Sequence, residues 1–174
     1  MSRAVTAPSP AAAPIRTVKH RFRMIALPSE RFDDLRAMSE PELRARGVLR
    51  MRADEKPGFP CRVSLVDAEI GEEVLLMSFT HHDVDTPYRA SGPIFVRVAA
   101  TTARPEVNEV PALIRSRLHS IRAYDGRGMM LASQVAEGRD IEEHIGRFFD
   151  DARVEYLHLH NARPGCFNCR VERV

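Results

Sequence analysis

Residues 73–82 read Glu73-Val74-Leu75-Leu76-Met77-Ser78-Phe79-Thr80-His81-His82, and this stretch sets the fold class. Successive side chains of an extended chain face opposite ways. That sorts the stretch into Val74, Leu76, Ser78, Thr80 and His82 on one face and Leu75, Met77, Phe79 and His81 on the other. Both faces are largely apolar, so both need cover, which predicts a strand in the middle of a sheet. Working outward, residues 20–27, 48–53 and 62–66 read as strands before it, and 94–100 as a strand after the irregular loop 83–93. Residues 121–124 and 129–135 pair as a hairpin around Asp125-Gly126. Strands 154–160 and 167–172 close the chain. Between these lie short helical patterns. Ser29 caps one that carries Phe32, Leu35 and Met38 on one face. Ser39-Glu40-Pro41-Glu42 starts another, with a capping Ser, Pro in the first turn and Glu at the third helical position, and Gly47 ends it. Residues 111–118 have helical spacing, and a last helix from Asp140 turns Ile141, Ile145, Phe148 and Phe149 inward. Strand runs with scattered short helices predict an α+β domain over 19–174, mostly antiparallel sheet with a few short helices.

The 174 residues suit one domain and bury enough surface for a core without metal or disulfide staples. Net charge is only +2, but all the basic residues except Lys19 and Lys56 are arginine. Genomic base composition explains such a bias, and so does a demand for forked anion contacts. No basic face with interleaved aromatics is present, which argues against nucleic acid. Residues 1–18 open on an Ala/Pro/Ser-rich segment without the apolar core of a signal peptide, and read as a disordered leader. No run approaches the roughly 18 apolar residues of a membrane span. An odd count of three cysteines without a signal sequence points to reduced thiols and a cytoplasmic location.

One phrase is spelled twice: Lys56-Pro57-Gly58-Phe59-Pro60-Cys61-Arg62-Val63 and Arg163-Pro164-Gly165-Cys166-Phe167-Asn168-Cys169-Arg170-Val171. Each is a cation, a Pro-Gly turn, a Phe and a Cys-Arg-Val run. Turn chemistry explains the Pro-Gly; it does not ask for Cys-Arg-Val afterwards, so the echo points to a site. Beside the second copy stands Tyr156-Leu157-His158-Leu159-His160-Asn161. On a strand His158 and His160 share a face while Leu157 and Leu159 point to the core. Two imidazoles so spaced suit a divalent metal, with His81 or His82 as third partner and Asp83 or Asp85 as carboxylate candidates. Paired histidines at sheet ends are, however, more often hydrogen-bonded structural groups.

Cys166 and Cys169 have zinc-knuckle and redox-pair spacing. A knuckle lacks its second Cys pair here, and a redox pair belongs at a helix start, whereas residues 170–174 alternate as a strand; buried or turn-lining cysteines are the simpler reading. Cys61 or Cys169 beside a histidine would serve thiol catalysis, though no orienting third group is evident. The loop 85–93 holds Tyr88, Arg89 and Ser91 between prolines, equipment for holding an anion. Arg89 with Arg62, Arg163 and Arg170 would make a forked donor set for carboxylate or phosphate, unless Glu55, Asp67, Asp85 and Glu172 neutralise it. Ser91 lacks the strand–turn–helix context of a nucleophile.

Three phrases together resemble a bacterial family, domain of unknown function 1203: residues 55–65, residues 87–96, and residues 154–171 with His158, His160, Asn161 and Arg163-Pro164-Gly165-Cys166-Phe167. The resemblance spans roughly 20–172. It implies a cytoplasmic bacterial protein, carries no activity with it, and places a histidine at position 81, favouring His81 over His82. Two functions stay open. One is a pocket for a small anionic ligand or a divalent metal, with Arg62, Tyr88, Arg89, Ser91, Asn161, Arg163 and Arg170 as ligand candidates and His81, His158 and His160 as metal candidates. The other is a non-catalytic structural or interaction domain. An open sheet edge would make a homodimer plausible.

Overall fold

A computed structural model describes residues 20–174, so the expected leader at 1–18 lies outside the described residues. Among the described residues eight strands build two antiparallel sheets: β1 (Phe22–Ile25), β2 (Leu49–Arg52), β3 (Glu73–His82), β4 (Ala90–Arg97), β5 (Leu118–Tyr124), β6 (Met130–Glu137), β7 (Tyr156–Asn161) and β8 (Phe167–Arg173). The larger sheet has the order β1-β8-β7-β5-β6 and the smaller β2-β3-β4. β3 is the central strand of its sheet, as its two apolar faces require. Four short helices, α1 (Asp33–Ala37), α2 (Glu40–Ala45), α3 (Ala112–Arg115) and α4 (Ile141–Phe149), complete an α+β fold.

The layers follow from which residues are apolar. α4 lays Ile141, Ile145 and Phe149 on Leu157 and Leu159 of β7, Ile121 of β5, and Cys169 and Val171 of β8. Each such fully buried side chain contributes about 1.5–3 kcal/mol of transfer free energy. A second core holds Leu75 and Met77 of β3 with Ile94 and Val96 of β4, under Phe32 and Leu43. α2 begins at the expected box, where the Glu42 carboxylate accepts the Ser39 N–H at 2.7 Å. The polar face of β7 carries His158 and His160, and β3 ends beside it at His81 and His82.

Four expectations are corrected. Ser29 is not a cap: it begins the turn itself after Pro28, and its hydroxyl donates to the Ala100 carbonyl at 3.0 Å. Residues 62–66 form a turn, with Leu65 at φ 50° and its N–H on the Cys61 carbonyl at 3.0 Å. Their alternating pattern arises because Val63 and Leu65 plug into two different cores. β4 starts at Ala90, four residues earlier than its apolar run, because Pro93 is tolerated on an edge strand, and among the named strands β4 pairs only with β3. α3 is a single turn, and Leu118 already belongs to β5.

Two bulges matter to the site. The β3–β4 register passes from Thr80↔Ser91 to His82↔Ala90, leaving His81 as the extra residue. The β7–β8 register passes from Leu159↔Cys169 to His160↔Phe167, leaving Asn168 extra. A bulge re-aims side chains that would otherwise alternate.

The approach of α3 to the end of β6 fixes Gly138. A Cβ there would stand 2.0 Å from the Ile114 carbonyl oxygen and 2.7 Å from that of Arg115, both backbone atoms. Gly138→Ala should destabilise the protein by roughly 1–3 kcal/mol, the range for forced overpacking. A loss below about 0.5 kcal/mol in urea unfolding would show that this junction yields.

Candidate functional site

The two echoed phrases meet. Their Pro-Gly turns form two walls of a cleft of about 1060 Å³, which Arg62, Asn161, Arg163 and Cys166 line together with the apolar surfaces of Leu76, Pro93, Phe95 and Leu118. Gly165 turns the second phrase at φ 76°, a left-handed conformation that favours glycine. Arg62 of the first phrase donates from Nε to the Phe167 carbonyl of the second at 2.7 Å, and from Nη1 to the Pro60 carbonyl. Its side chain is only 2% exposed. Among the described residues no carboxylate pairs with it; Asp67, the carboxylate that acts on it electrostatically, is bound by Arg117 at 2.6 and 2.8 Å. Burial pushes the Arg62 guanidinium down to about 10, so it is still charged at neutral pH.

Not every candidate reaches this cleft. Of the loop 85–93 only Pro93 does. Arg89 is exposed and bridges to Asp83 at 2.7 Å. Tyr88 is exposed, and the Ser91 hydroxyl shares a hydrogen bond with Thr80 at 2.8 Å. Asp85 instead borders a shallower depression with Arg127. Arg170 lies 3.7 Å above the Tyr156 ring, with Nε 2.7 Å from Glu172 but not in hydrogen-bond geometry. Arg163 is exposed and has no partner among the described residues.

The histidines gather on the other side of the second turn. His158 and His160 point off β7 together, both buried, and the bulge on β3 brings His81 and His82 over them. Ring centroids lie 5.0 Å apart for His81–His160, 6.2 Å for His81–His158 and 6.2 Å for His158–His160. Phe167 closes the cluster, stacked on His81 at 5.1 Å and edge-on to His158 at 5.0 Å. His82 is fully satisfied, by the Tyr88 carbonyl and the Tyr156 hydroxyl, each at 2.8 Å. The others each keep a buried nitrogen outside hydrogen-bond geometry, His81 Nδ1, His158 Nδ1 and His160 Nε2, although the Phe79 backbone acts on the His81 ring and partly offsets its burial. Burial holds His158 down at about 2, His160 at about 3 and His81 at about 4, with Arg122, Arg170, Arg62 and the neighbouring imidazoles adding to it. At neutral pH all three are uncharged.

These positions can be set against known proteins. A family model described as protein of unknown function, DUF1203, matches residues 58–173. The chain belongs to the DUF1203 family. The match covers both Cys-Arg-Val runs, His81, the β7 histidines and α4, and leaves out β1, α1, α2 and β2. No curated protein and no solved structure matches the chain.

The DUF1203 cysteines divide. Cys169 lies in the α4 core, where burial pushes its thiol up to about 12 and makes it a poor nucleophile. Cys61 is buried in the second core, its sulfur accepting N–H bonds from Ser64 and Arg97. Cys166 lines the cleft outside β8, so the Cys166–Cys169 pair faces two ways. No carboxylate joins the imidazoles: Asp83 is exposed on Arg89, and Asp85 borders the other depression. Among the described residues no group of three or more His, Cys, Asp or Glu side chains stands, as placed, in a metal-holding geometry. No described helix is long and apolar enough to cross a membrane.

Several residues that shape the site carry no signal readable from one sequence. Arg122 stands opposite His158 across β5–β7; Arg170, expected as an anion donor, flanks it from β8 instead. Tyr124 and Tyr156 stack beside His82. Beneath the cleft, Asn168 donates to Asn161 at 2.8 Å and reaches His119, whose other nitrogen bonds the Ile114 carbonyl. Cross-strand neighbours of this kind depend on register, which a lone sequence does not reveal.

Proposed function

We propose that the cleft binds a small molecule bearing a carboxylate or phosphate, with Arg62 receiving the anionic group and Arg163 and Asn161 beside it. The observation that carries this reading is the state of Arg62: buried, charged and without a carboxylate, in the wall of the cleft between the two turns. A buried charge without its counter-charge is costly, and an anion in the cleft supplies one through charge-assisted hydrogen bonds. The apolar lining suits the body of such a ligand. Glu55 and Glu137 share the lining and would meet a cationic group on the same molecule.

A second reading has its own observation. Arg62 spends two donors on the carbonyls of Phe167 and Pro60, fastening the two turns, which is the work of a structural clamp. Phosphate, citrate and benzoate, added at fixed ionic strength, separate the two. If the cleft binds anions, at least one raises Tm in proportion to the logarithm of its concentration above Kd. Arg163→Ala, an exposed change without a lost partner, should leave the ligand-free stability within about 0.5 kcal/mol while weakening that ligand about tenfold, the loss of roughly 1.4 kcal/mol. No response to any of the three anions leaves Arg62 as the clamp alone.

A further inference from the structure

We propose that His81, His158 and His160 form a tri-imidazole site for one divalent transition-metal ion, separate from the anion cleft. Three buried imidazole nitrogens without partners stand in one cluster. Buried polar groups are nearly always satisfied, so their concentration in rings packed against one another asks for a common occupant. His160 has the second bond that a metal ligand characteristically makes: its Nδ1–H donates to the Gly165 carbonyl at 2.9 Å, which fixes the tautomer and leaves the Nε2 lone pair free. His82, adjacent in sequence and closer to His158 at 5.0 Å, has both nitrogens occupied and is excluded.

The spacing is near what such an ion needs. Nitrogens about 2.1 Å from a tetrahedral ion place ring centroids about 5.2 Å apart. The His81–His160 pair stands at 5.0 Å, while both distances to His158 are 6.2 Å. As placed, no three described side chains hold metal geometry; closing on an ion requires His158 to move inward by about 1 Å.

The surroundings select the ion. Arg122 and Arg170 flank His158 in register, and Arg62 and Arg122 both act on His160. With no carboxylate in reach, the oxygen-seeking Ca2+ and Mg2+ have nothing to bind. Ions that favour nitrogen, such as Zn2+, Co2+, Ni2+ or Cu2+, remain. Beside arginines the fourth ligand would be an anion or hydroxide.

The test uses the full chain, free of any metal-binding tag and stripped with EDTA, titrated with Co2+ and then Zn2+. One ion per chain should bind with Kd below about 10 µM, giving visible Co2+ absorption. In 15N-histidine spectra, the free nitrogens of His81, His158 and His160 should shift on Zn2+ addition while both of His82 stay. His81→Gln, a change at a half-buried ring on a strand end, should keep the fold and weaken binding at least about a hundredfold. Weaker binding than about 10 µM by the folded wild-type chain overturns the proposal. So does one-equivalent binding that His81→Gln leaves intact, which would put the ion elsewhere.

Discussion

Lowering the pH from 6.5 to 4.5 in the presence of a chelator should remove about 5 kcal/mol of folding stability. The cause is the pair of buried rings on β7. His158 and His160 are held at about 2 and about 3 by burial, with charged and imidazole neighbours adding to it. In the unfolded chain a histidine titrates near 6.5. A folded value below the unfolded one means that the unfolded state takes up protons first. The stabilisation is thus complete above pH 6.5 and is lost as pH falls toward the folded values. Two units below the unfolded pKa, each ring kept neutral costs about 2.7 kcal/mol. Two rings make about 5, comparable to the whole stability of many domains. His81, held at about 4, adds to the slope. The carboxylates Glu42, Glu72, Asp125 and Asp151 lie below their ordinary values through hydrogen bonds, so their own losses come at lower pH. The groups facing the cluster, Arg122, Arg62, Arg170 and His82, oppose protonation of its rings. Urea unfolding at half-unit steps from pH 8 to 4.5 measures the slope directly. Roughly three protons taken up on unfolding near pH 5.5, from these rings and His119, which burial also lowers, is the expected result; fewer than one would mean that these rings protonate in place.

The fold was legible where one residue pattern admitted one structure. The two apolar faces of 73–82 required a central strand, and the Ser39–Glu42 box with Gly47 bounded α2. The pairing of His158 with His160 on one face, and of Leu157 with Leu159 on the other, followed from strand alternation alone. Legibility failed where burial and backbone conformation part company. Val63 and Leu65 alternate like a strand yet sit in a turn, because two cores lie on either side of it. Alternation also places His81 and His82 on opposite faces, whereas one unpaired residue in β3 lets both reach β7. The echo of Pro-Gly and Cys-Arg-Val signalled two turns, and the structure puts them on one cleft. It did not signal that Arg62 reaches from one phrase to the other's backbone, while its counterpart Arg170 turns to Tyr156 instead. That difference is tertiary: Arg62 leads into a turn, Arg170 lies within a strand.

Phe167→Ala should cost about 3–5 kcal/mol, the range for removing a buried phenylalanine ring. The ring is 3% exposed and touches His81, His158 and His160, so its loss opens a void against three imidazoles. Water entering that void would solvate their unpartnered nitrogens and relax the desolvation that holds the rings neutral. The acid slope of the variant should therefore be shallower than that of the wild type, while its stability at pH 8 is lower. A void that simply collapsed would lower the stability and leave the slope unchanged, since the rings would stay dry. Phe167→Leu, which keeps most of the apolar volume, should retain the slope at a loss below about 1.5 kcal/mol. The backbone carbonyl of residue 167, which receives Arg62, survives both substitutions. Anion binding in the cleft should then persist in Phe167→Leu even where metal binding weakens, because the side chain serves the imidazoles and only the main chain serves the arginine.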